Sequence, residues 1–229
     1  QLVVLPLPIA SIGSGTICEG QTGIVEFSGT PGATVQYLDH NGDTQSITLD
    51  ATTGLASITT PVLSTNTIYT IQNVTSATTP ACTRMISSQT TVIVNPLPTV
   101  SISTTATSIC SGTSATVNFT GTPDATVSYT VDGAPTTIVL DASGNASVTA
   151  SVSSTYCLVS AASNTLPVCS QAFTNCVSID VIPLPTVSVS GNTVCEGLPS
   201  VLTFTGTPNA TVNYNLGTTA QTPVTLNAT

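Results

Sequence analysis

Short stretches in which apolar and polar residues alternate run along the whole chain. Val117 and Phe119 alternate with polar neighbours, and Val127 and Tyr129 do the same a few residues later. Successive side chains of a strand point to opposite faces of a sheet, so each stretch predicts a strand with one buried face. Seven strands are predicted in the clearest part of the chain, over 99–103, 115–120, 125–131, 136–140, 145–152, 155–161 and 172–182.

Turn signals separate these predicted strands. Asp132-Gly133 is a hairpin signal, Asp141-Ala142-Ser143-Gly144 marks another turn, and Asn41-Gly42 occupies the place of Asp132-Gly133 earlier in the chain. Seven short strands with turns every eight to twelve residues or so are typical of an immunoglobulin-like Greek-key β-sandwich. The chain contains no Trp, so the antibody-type core is missing and only the architecture is implied.

Two phrases recur three times and divide the chain into repeats. Pro-Leu-Pro precedes Gly-Thr-Pro-x-Ala-Thr-Val in every copy, and we expect the second phrase to be the hairpin between two core strands. The spacing of about ninety residues is that of a whole β-sandwich domain and is too long for a helical solenoid unit. Pro-Leu-Pro begins at Pro6, Pro96 and Pro183, and the longer phrase begins at Gly29, Gly121 and Gly206.

The phrases predict the following organisation. Residues 1–5 are the last strand of a preceding repeat, 6–95 form repeat 1, 96–182 form repeat 2, and 183–229 form the first half of repeat 3. We therefore expect the sequence to be a window on a longer array. Prolines hold φ near −65°, so each Pro-Leu-Pro linker is expected to be a stiff spacer that joins the sandwiches into a rod.

Composition supports an ordered all-β chain and excludes one class of partner. Charged residues make up 5% and apolar residues 40%, and mean hydropathy is +0.40, which argues against disorder. The abundant Thr and Val are β-branched residues that suit strands. The net charge is −9 and Arg84 is the one Lys or Arg. Nothing in the sequence can therefore neutralise phosphates, which excludes nucleic acid as a partner.

The seven cysteines can be assigned by repeat. Repeat 1 has two, whose counterparts in repeat 2 should pair likewise, and the two further cysteines of repeat 2 align with Thr70 and Gln89 on neighbouring last strands. Disulfides place the protein outside the cytoplasm. The expected bonds are Cys18–Cys82, Cys110–Cys169 and Cys157–Cys176, with Cys195 bonded to a partner beyond the chain.

Candidate chemistry is sparse. Asp39, Asn41 and Asp43 have the opening spacing of a calcium loop, but a hairpin turn with solvated acids is the favoured interpretation, and calcium is a weak alternative. His40 is the only histidine, so a serine or cysteine nucleophile has no positioned base. The acids are few and scattered, which gives little support to glycoside cleavage. We therefore predict no enzyme, no catalytic residue, no cofactor and no other metal site.

The sequence motifs of the repeats resemble those of one family of surface proteins. Pro-Leu-Pro-Thr-Val-Ser (96–101 and 183–188), Cys-Ser-Gly-Thr-Ser-Ala-Thr-Val (110–117) and Phe-Thr-Gly-Thr-Pro-x-Ala-Thr-Val (119–127) are similar to repeats of giant Bacteroidetes cell-surface adhesins, the SprB-like gliding-motility adhesins. The resemblance implies type 9 secretion, display as a long surface filament associated with the outer membrane, and adhesion to a substratum during gliding. It implies no catalytic residues.

The leading hypothesis is a non-enzymatic, rigid, disulfide-stabilised stalk of a very long adhesin that serves attachment and gliding motility. Its partners would be a substratum or surface polysaccharide, neighbouring repeats of the same chain and, by resemblance, the type 9 secretion and gliding machinery. Two alternatives stay open at this point. The repeats could be polysaccharide-binding immunoglobulin-like modules, or an accessory array of a secreted enzyme.

Overall fold

The structure, a computed structural model, describes residues 4–228. Repeat 1 consists of strands without a helix, as its alternating pattern predicts. Its nine strands are β1 (Ala10–Ser14), β2 (Thr16–Cys18), β3 (Ile24–Gly29), β4 (Thr34–Leu38), β5 (Thr44–Thr48), β6 (Leu55–Thr59), β7 (Thr67–Thr75), β8 (Thr83–Met85) and β9 (Gln89–Asn95).

The strands of repeat 1 form two sheets of an immunoglobulin-like sandwich. One sheet has the order β1-β3-β6, and the other has the order β2-β9-β7-β4-β5, with β8 paired to β7. The first segment changes sheets at Gly15: β1 pairs antiparallel with β3, whereas β2 pairs parallel with β9. This switch places Cys18, the last residue of β2, beside the end of β9.

The core of repeat 1 fills the space between the two sheets. Every second residue of β3 and β4 is buried, and the rings of Phe27 and Tyr37 meet at 4.9 Å between centroids. Such tilted aromatic pairs add to the stabilisation from apolar burial. The cluster comprises Val25, Phe27, Ala33, Val35, Tyr37, Leu49, Leu63, Tyr69, Ile71, Val74 and Val92.

Repeat 2 has the same strands in the same order. Its sheets are β10-β12-β15 and β11-β18-β16-β13-β14, with β17 paired to β16, and Phe119 meets Tyr129 at 4.8 Å. All seven predicted strands are present, and β11 and β17 are additions of three residues each, too short to show alternation. The strands are β10 (Val100–Thr104), β11 (Ser108–Cys110), β12 (Ala115–Gly121), β13 (Thr126–Val131), β14 (Ala134–Val139), β15 (Asn145–Ala150), β16 (Ser154–Ala162), β17 (Ser170–Ala172) and β18 (Cys176–Ile182).

The remaining strands belong to repeat 3. Phe204 and Tyr214 form the same aromatic pair there, with centroids 4.8 Å apart. The strands are β19 (Val187–Gly191), β20 (Leu202–Gly206), β21 (Thr211–Val212), β22 (Asn215–Leu216), β23 (Thr219–Ala220) and β24 (Val224–Thr225).

Contacts divide the chain into two compact units. The first comprises the chain up to Ser103 together with 118–147 and 155–177, and the second comprises 104–117, 148–154 and the chain from Ser178 onward. The strands of the two full sandwiches fall within the predicted repeats 6–95 and 96–182. Of the segment predicted as a preceding strand, residues 1–3 lie outside the described residues, and Val4 and Leu5 are not in a strand.

The expectation of a hairpin at Gly-Thr-Pro-x-Ala-Thr-Val is wrong. The phrase joins β3 to β4, which belong to opposite sheets, so it is a crossing between the layers. Alternation of apolar residues is the same in both arrangements and does not distinguish them.

The crossing is a tight turn with a constrained third residue. The Ala33 amide donates to the Thr30 carbonyl at 3.1 Å, and the turns of the other repeats have the same bond. A type II turn requires a positive φ in third place and commonly has proline in second place. The variable residue of the phrase is therefore a glycine, aspartate or asparagine, which tolerate positive φ: Gly32 (φ 73°), Asp124 (φ 59°) and Asn209 (φ 62°).

Candidate functional site at the joint between repeats

The joint between repeats 1 and 2 is the short linker Pro96-Leu97-Pro98, which connects the end of β9 to the start of β10. Pro98 is buried and Leu97 is half-buried. The corresponding leucines of the other two linkers, Leu7 and Leu184, are 60% and 59% exposed. The linker between the two complete sandwiches is therefore packed against protein and is not a free tether.

The turn phrase fixes the linker to repeat 2. The Thr99 amide, directly after the linker, donates to Thr122 Oγ1 at 2.9 Å, and the Thr122 amide donates to the Thr99 carbonyl at 3.0 Å. A Cβ on Gly121 would collide with the Thr99 carbonyl, so this close approach requires glycine. The same reciprocal bonds join Ile9 to Thr30 and Thr186 to Thr207.

The recurrence of the two phrases together has a structural reason. The Gly-Thr of the longer phrase holds the residue that follows Pro-Leu-Pro, so each repeat contains its own anchor for the linker that precedes it. The direction of the chain as it enters each sandwich is therefore set by two hydrogen bonds and one close backbone contact.

A disulfide joins repeat 1 to repeat 2 across the linker. Cys18, at the end of β2, is bonded to Cys169, with the two Cα atoms 5.5 Å apart. Cys18 lies opposite Asn95 in the β2–β9 pairing, and the adjacent Glu19 amide donates to the Asn95 carbonyl at 2.8 Å. The Asn95 side-chain amide in turn donates to the Leu166 carbonyl of repeat 2 at 3.3 Å.

The loop that carries Cys169 is closed by Ser163. The Ser163 amide donates to the Cys169 carbonyl at 2.8 Å, and the Cys169 amide donates to Ser163 Oγ at 3.0 Å. Cys169 is 1% exposed, and its sulfur lies 4.0 Å from the Asn95 carbonyl oxygen. The disulfide is therefore held in the joint by backbone contacts from both repeats.

Two of the expected disulfides, Cys18–Cys82 and Cys110–Cys169, are wrong. Cys18 lies beside Asn95, at the end where repeat 1 leaves for repeat 2, whereas Cys82 shares a surface recess with Leu5, directly before the linker by which the chain enters repeat 1. The two cysteines of one repeat thus lie at its opposite ends. The repeat pattern identifies equivalent cysteines but not the neighbour that supplies each partner.

The third expected disulfide, Cys157–Cys176, is present, with its Cα atoms 4.1 Å apart. It links the neighbouring strands β16 and β18. Thr70 and Gln89, their predicted counterparts in repeat 1, face each other directly in the β7–β9 pairing. This bond staples one sheet within a repeat and does not cross the joint. Cys82, Cys110 and Cys195 are free thiols.

The acidic turn of repeat 1 uses its carboxylate to close the hairpin. Asp39 Oδ1 accepts from the amides of Asn41 at 2.9 Å and Asp43 at 3.1 Å, and Oδ2 accepts from the Gln45 side chain at 3.1 Å. The hydrogen bond from the Asn41 amide, supported by those from Asp43 and Gln45 and by the charge of His40, lowers the pKa of Asp39. Calcium binding here stays a prediction.

Residues 4–228 bring together no three His, Cys, Asp or Glu side chains that could hold a metal ion. His40 lies in the exposed part of this turn. In the described part of the chain, no helix is long and apolar enough to cross a membrane.

Most of the aromatic side chains lie in the interior. Six of the nine are buried, and the other three, Phe173, Phe204 and Tyr214, are half-buried. Carbohydrate sites commonly present an aromatic face to the sugar, and no aromatic ring is fully exposed here. One buried aromatic has an unusual feature, because the hydroxyl of Tyr69 has no hydrogen-bond partner among the described residues.

Comparison with known proteins supports the fold. No protein-family model and no curated protein matches the chain. An I-band fragment of titin is similar over 96% of this chain and 82% of its own, with 14% identity and a TM-score of 0.53. The chain is an all-β array of immunoglobulin-like sandwiches.

Two bacterial adhesins are also similar in structure. One is a Ca²⁺-stabilized adhesin that helps an Antarctic bacterium reach out and bind ice (TM-score 0.49, 19% identity, 83% of this chain), and this chain spans 53% of its length. The other is a 1.5-MDa bacterial ice-binding adhesin (TM-score 0.48, 17% identity, 81% of this chain and 69% of the other).

Proposed function

We propose that this chain is a non-enzymatic segment of the stalk of a very long cell-surface adhesin, stabilised by disulfides. The observation that carries the proposal is the covalent joint, Cys18–Cys169, which fixes one immunoglobulin-like repeat to the next. A protein that must hold a terminal function away from a surface gains from every joint that resists bending.

The joint combines several restraints that act together. The buried Pro98, the reciprocal Thr99–Thr122 hydrogen bonds and the Asn95–Leu166 hydrogen bond limit the same short linker that the disulfide spans. Prolines already reduce the conformations available to the linker, so few remain for the disulfide to restrict. These features favour a spacer over a set of independently moving modules.

The surface of the repeats favours the stalk over a polysaccharide-binding module. Six of the nine aromatic rings are buried in the cores and none is fully exposed, and one cation, Arg84, cannot form a basic patch. The chemistry of adhesion therefore belongs to a part of the protein other than these repeats. Buried cystines are stable in an oxidising compartment, which supports an extracellular location.

By sequence resemblance, we assign the stalk to the SprB-like adhesins of the Bacteroidetes. The protein would leave the cell by type 9 secretion, remain associated with the outer membrane and serve attachment and gliding. Its partners would be a substratum or surface polysaccharide at the adhesive end and the gliding machinery at the cell.

The proposal is tested in the source organism with the full-length protein. Cys18→Ser together with Cys169→Ser removes the joint bond, and Cys157→Ser together with Cys176→Ser removes a bond within one repeat as the matched control. Adhesion to glass and the surface distance of an epitope beyond repeat 3 are measured. We expect the joint variant to shorten that distance and weaken attachment more than the control.

Two results would contradict the proposal. One is detection of this chain inside the cell by protease shaving and immunogold labelling. The other is specific, saturable binding of residues 1–229 to a glycan array, which would make the repeats themselves the binding modules.

A further inference from the structure

We infer that a disulfide of the Cys18–Cys169 type crosses every joint of the array, and that the free thiols Cys82 and Cys110 are each one half of such a bond with an adjacent repeat. The inference rests on the proposed function only in requiring further repeats of this type on both sides. The chain itself contains one bonded joint, Cys18–Cys169, with which the surroundings of the two free cysteines can be compared.

Cys110 occupies in repeat 2 the position that Cys18 occupies in repeat 1. It is the last residue of β11, which pairs parallel with β18, and it faces Ile182 as Cys18 faces Asn95. The next amide, that of Ser111, donates to the Ile182 carbonyl at 2.8 Å, which matches the bond at repeat 1. Cys110 is exposed, so a cysteine of the following repeat can reach it.

The turn after this cysteine is also shared by the three repeats. The Gln21 amide donates to the Cys18 carbonyl at 3.1 Å, the Thr113 amide to the Cys110 carbonyl at 3.0 Å, and the Leu198 amide to the Cys195 carbonyl at 3.1 Å. Cys195 is exposed as well. Its partner therefore belongs to the repeat that follows repeat 3 and not to repeat 3 itself.

Cys82 occupies in repeat 1 the position that Cys169 occupies in repeat 2. Its amide donates to Ser76 Oγ at 2.9 Å and its carbonyl accepts from the Ser76 amide at 2.9 Å, the reciprocal pair that Ser163 forms with Cys169. The loop that carries Cys82 therefore has the geometry of the loop that carries the bonded Cys169, although Cys82 is a free thiol.

Cys82 also lies close to the end of the chain segment that precedes repeat 1, as a bond to a preceding repeat requires. It shares a recess with Leu5, which precedes Pro6 as Asn95 precedes Pro96. In the bonded joint, the sulfur of Cys169 lies 4.0 Å from the Asn95 carbonyl, and the partner cysteine faces Asn95 from the adjoining strand. A strand laid beside Leu5 in the same way would bring its last residue to Cys82.

The bond forms by thiol–disulfide exchange. The two cysteine thiols lose two protons and two electrons, and an external disulfide such as oxidised glutathione accepts them and is released as two thiols. The same reaction can form the bond at each joint.

A designed array tests the inference with repeats of this chain. A copy of residues 96–182 replaces residues 1–5, so that its Ile182 leads directly into Pro6 of the otherwise intact chain. The purified protein is equilibrated with oxidised glutathione, remaining thiols are alkylated, and the bonds are mapped by non-reducing mass spectrometry. We expect Cys110 of the leading copy bonded to Cys82, together with Cys18–Cys169.

The matched control is Cys82→Ser in the same array. It should leave Cys110 of the leading copy as an alkylated thiol and keep Cys18–Cys169. A bond between Cys18 and Cys82, or between Cys110 and Cys169 of one repeat, would overturn the inference, and so would recovery of both Cys82 and the leading Cys110 as thiols while Cys18–Cys169 is intact.

The full-length protein from the source organism provides a second measurement that needs no designed array. After alkylation and digestion without reductant, peptides with Cys82 and Cys110 should each be joined to a peptide from outside residues 1–229. Their recovery as alkylated single peptides would overturn the inference. That result would leave surface location and attachment, on which the proposed function is tested, unaffected.

Discussion

Repeats 1 and 2 share a core and a joint chemistry but differ within their larger sheet. Both contain a tilted Phe–Tyr pair, Phe27–Tyr37 and Phe119–Tyr129, between sheets of the same strand order. Repeat 2 has the Cys157–Cys176 bond, where repeat 1 has the ordinary strand pair Thr70 and Gln89.

The hairpins that follow the Tyr strand differ as well. Repeat 1 has the five-residue acidic loop 39–43, whereas repeat 2 turns through two residues, Asp132 and Gly133, both with positive φ as a type I′ turn requires. The core pair and the cysteines at the two ends of a repeat are common to both repeats, whereas the β16–β18 bond and the hairpin after the Tyr strand differ from their counterparts in repeat 1.

The largest expected effect on stability comes from removing the disulfide that joins the two repeats. Cys18→Ser opens the joint bond, whose sequence separation is 151 residues. Chain entropy gives an upper value of about 5 kcal/mol for a loop of that size. We expect a loss approaching that value in the free energy of unfolding from guanidinium titration. Cys110→Ser replaces an exposed free thiol and should change it little; an equal loss in both variants would contradict the joint bond.

The next effect concerns the shared core. Phe27→Ala and Phe119→Ala each remove a fully buried ring, which costs about 4 kcal/mol through lost apolar burial and the cavity that remains. Because the two rings have equal surroundings, we expect similar losses by chemical denaturation. A loss under about 1 kcal/mol in one repeat would show that its sandwich is not packed like the other.

A designed bond sharpens the difference between the repeats. Thr70→Cys with Gln89→Cys copies the Cys157–Cys176 disulfide of repeat 2 into repeat 1, because these residues face each other directly. For a loop of about 19 residues, chain entropy gives a gain of about 3 kcal/mol as an upper value. Thermal unfolding with and without reductant measures it, and the single variant Thr70→Cys should show no gain. A gain in the single variant, or none in the double, would contradict this register.

The smallest effect is a pH dependence specific to repeat 1. The pKa of Asp39 is lowered in the folded state, chiefly by the Asn41 amide, so its contribution to stability is present above the unfolded pKa and is lost as pH falls through the folded value. Asp39→Asn should therefore weaken the protein at neutral pH and leave it unchanged in strong acid. Denaturant titrations at the two pH values measure this difference, and an equal effect at both would contradict the role of the carboxylate.

Much of this architecture could be predicted from the sequence, and the exceptions have physical reasons. Alternation around Phe119 and Tyr129 predicts strands with a buried face, and repeat alignment places Cys157 beside Cys176. Alternation does not show which sheet a strand belongs to, so the sequence predicts a hairpin after Gly29 where the structure has a crossing between sheets. The spacing of cysteines does not show whether a bond lies within one repeat or joins two repeats, so the sequence predicts Cys82 as the partner of Cys18 where the structure has Cys169.

The joint disulfide also changes the route by which a pull travels along the chain. Tension applied at the two ends passes from Cys18 through the sulfur atoms to Cys169, so the intervening segment, with a sequence separation of 151 residues, bears no load while the bond is intact. Fully extended, a segment of that length would span on the order of 500 Å. While the bond is intact, that length cannot be drawn out, and a sudden pull on the chain would meet a short covalent path before it could unfold the bypassed strands.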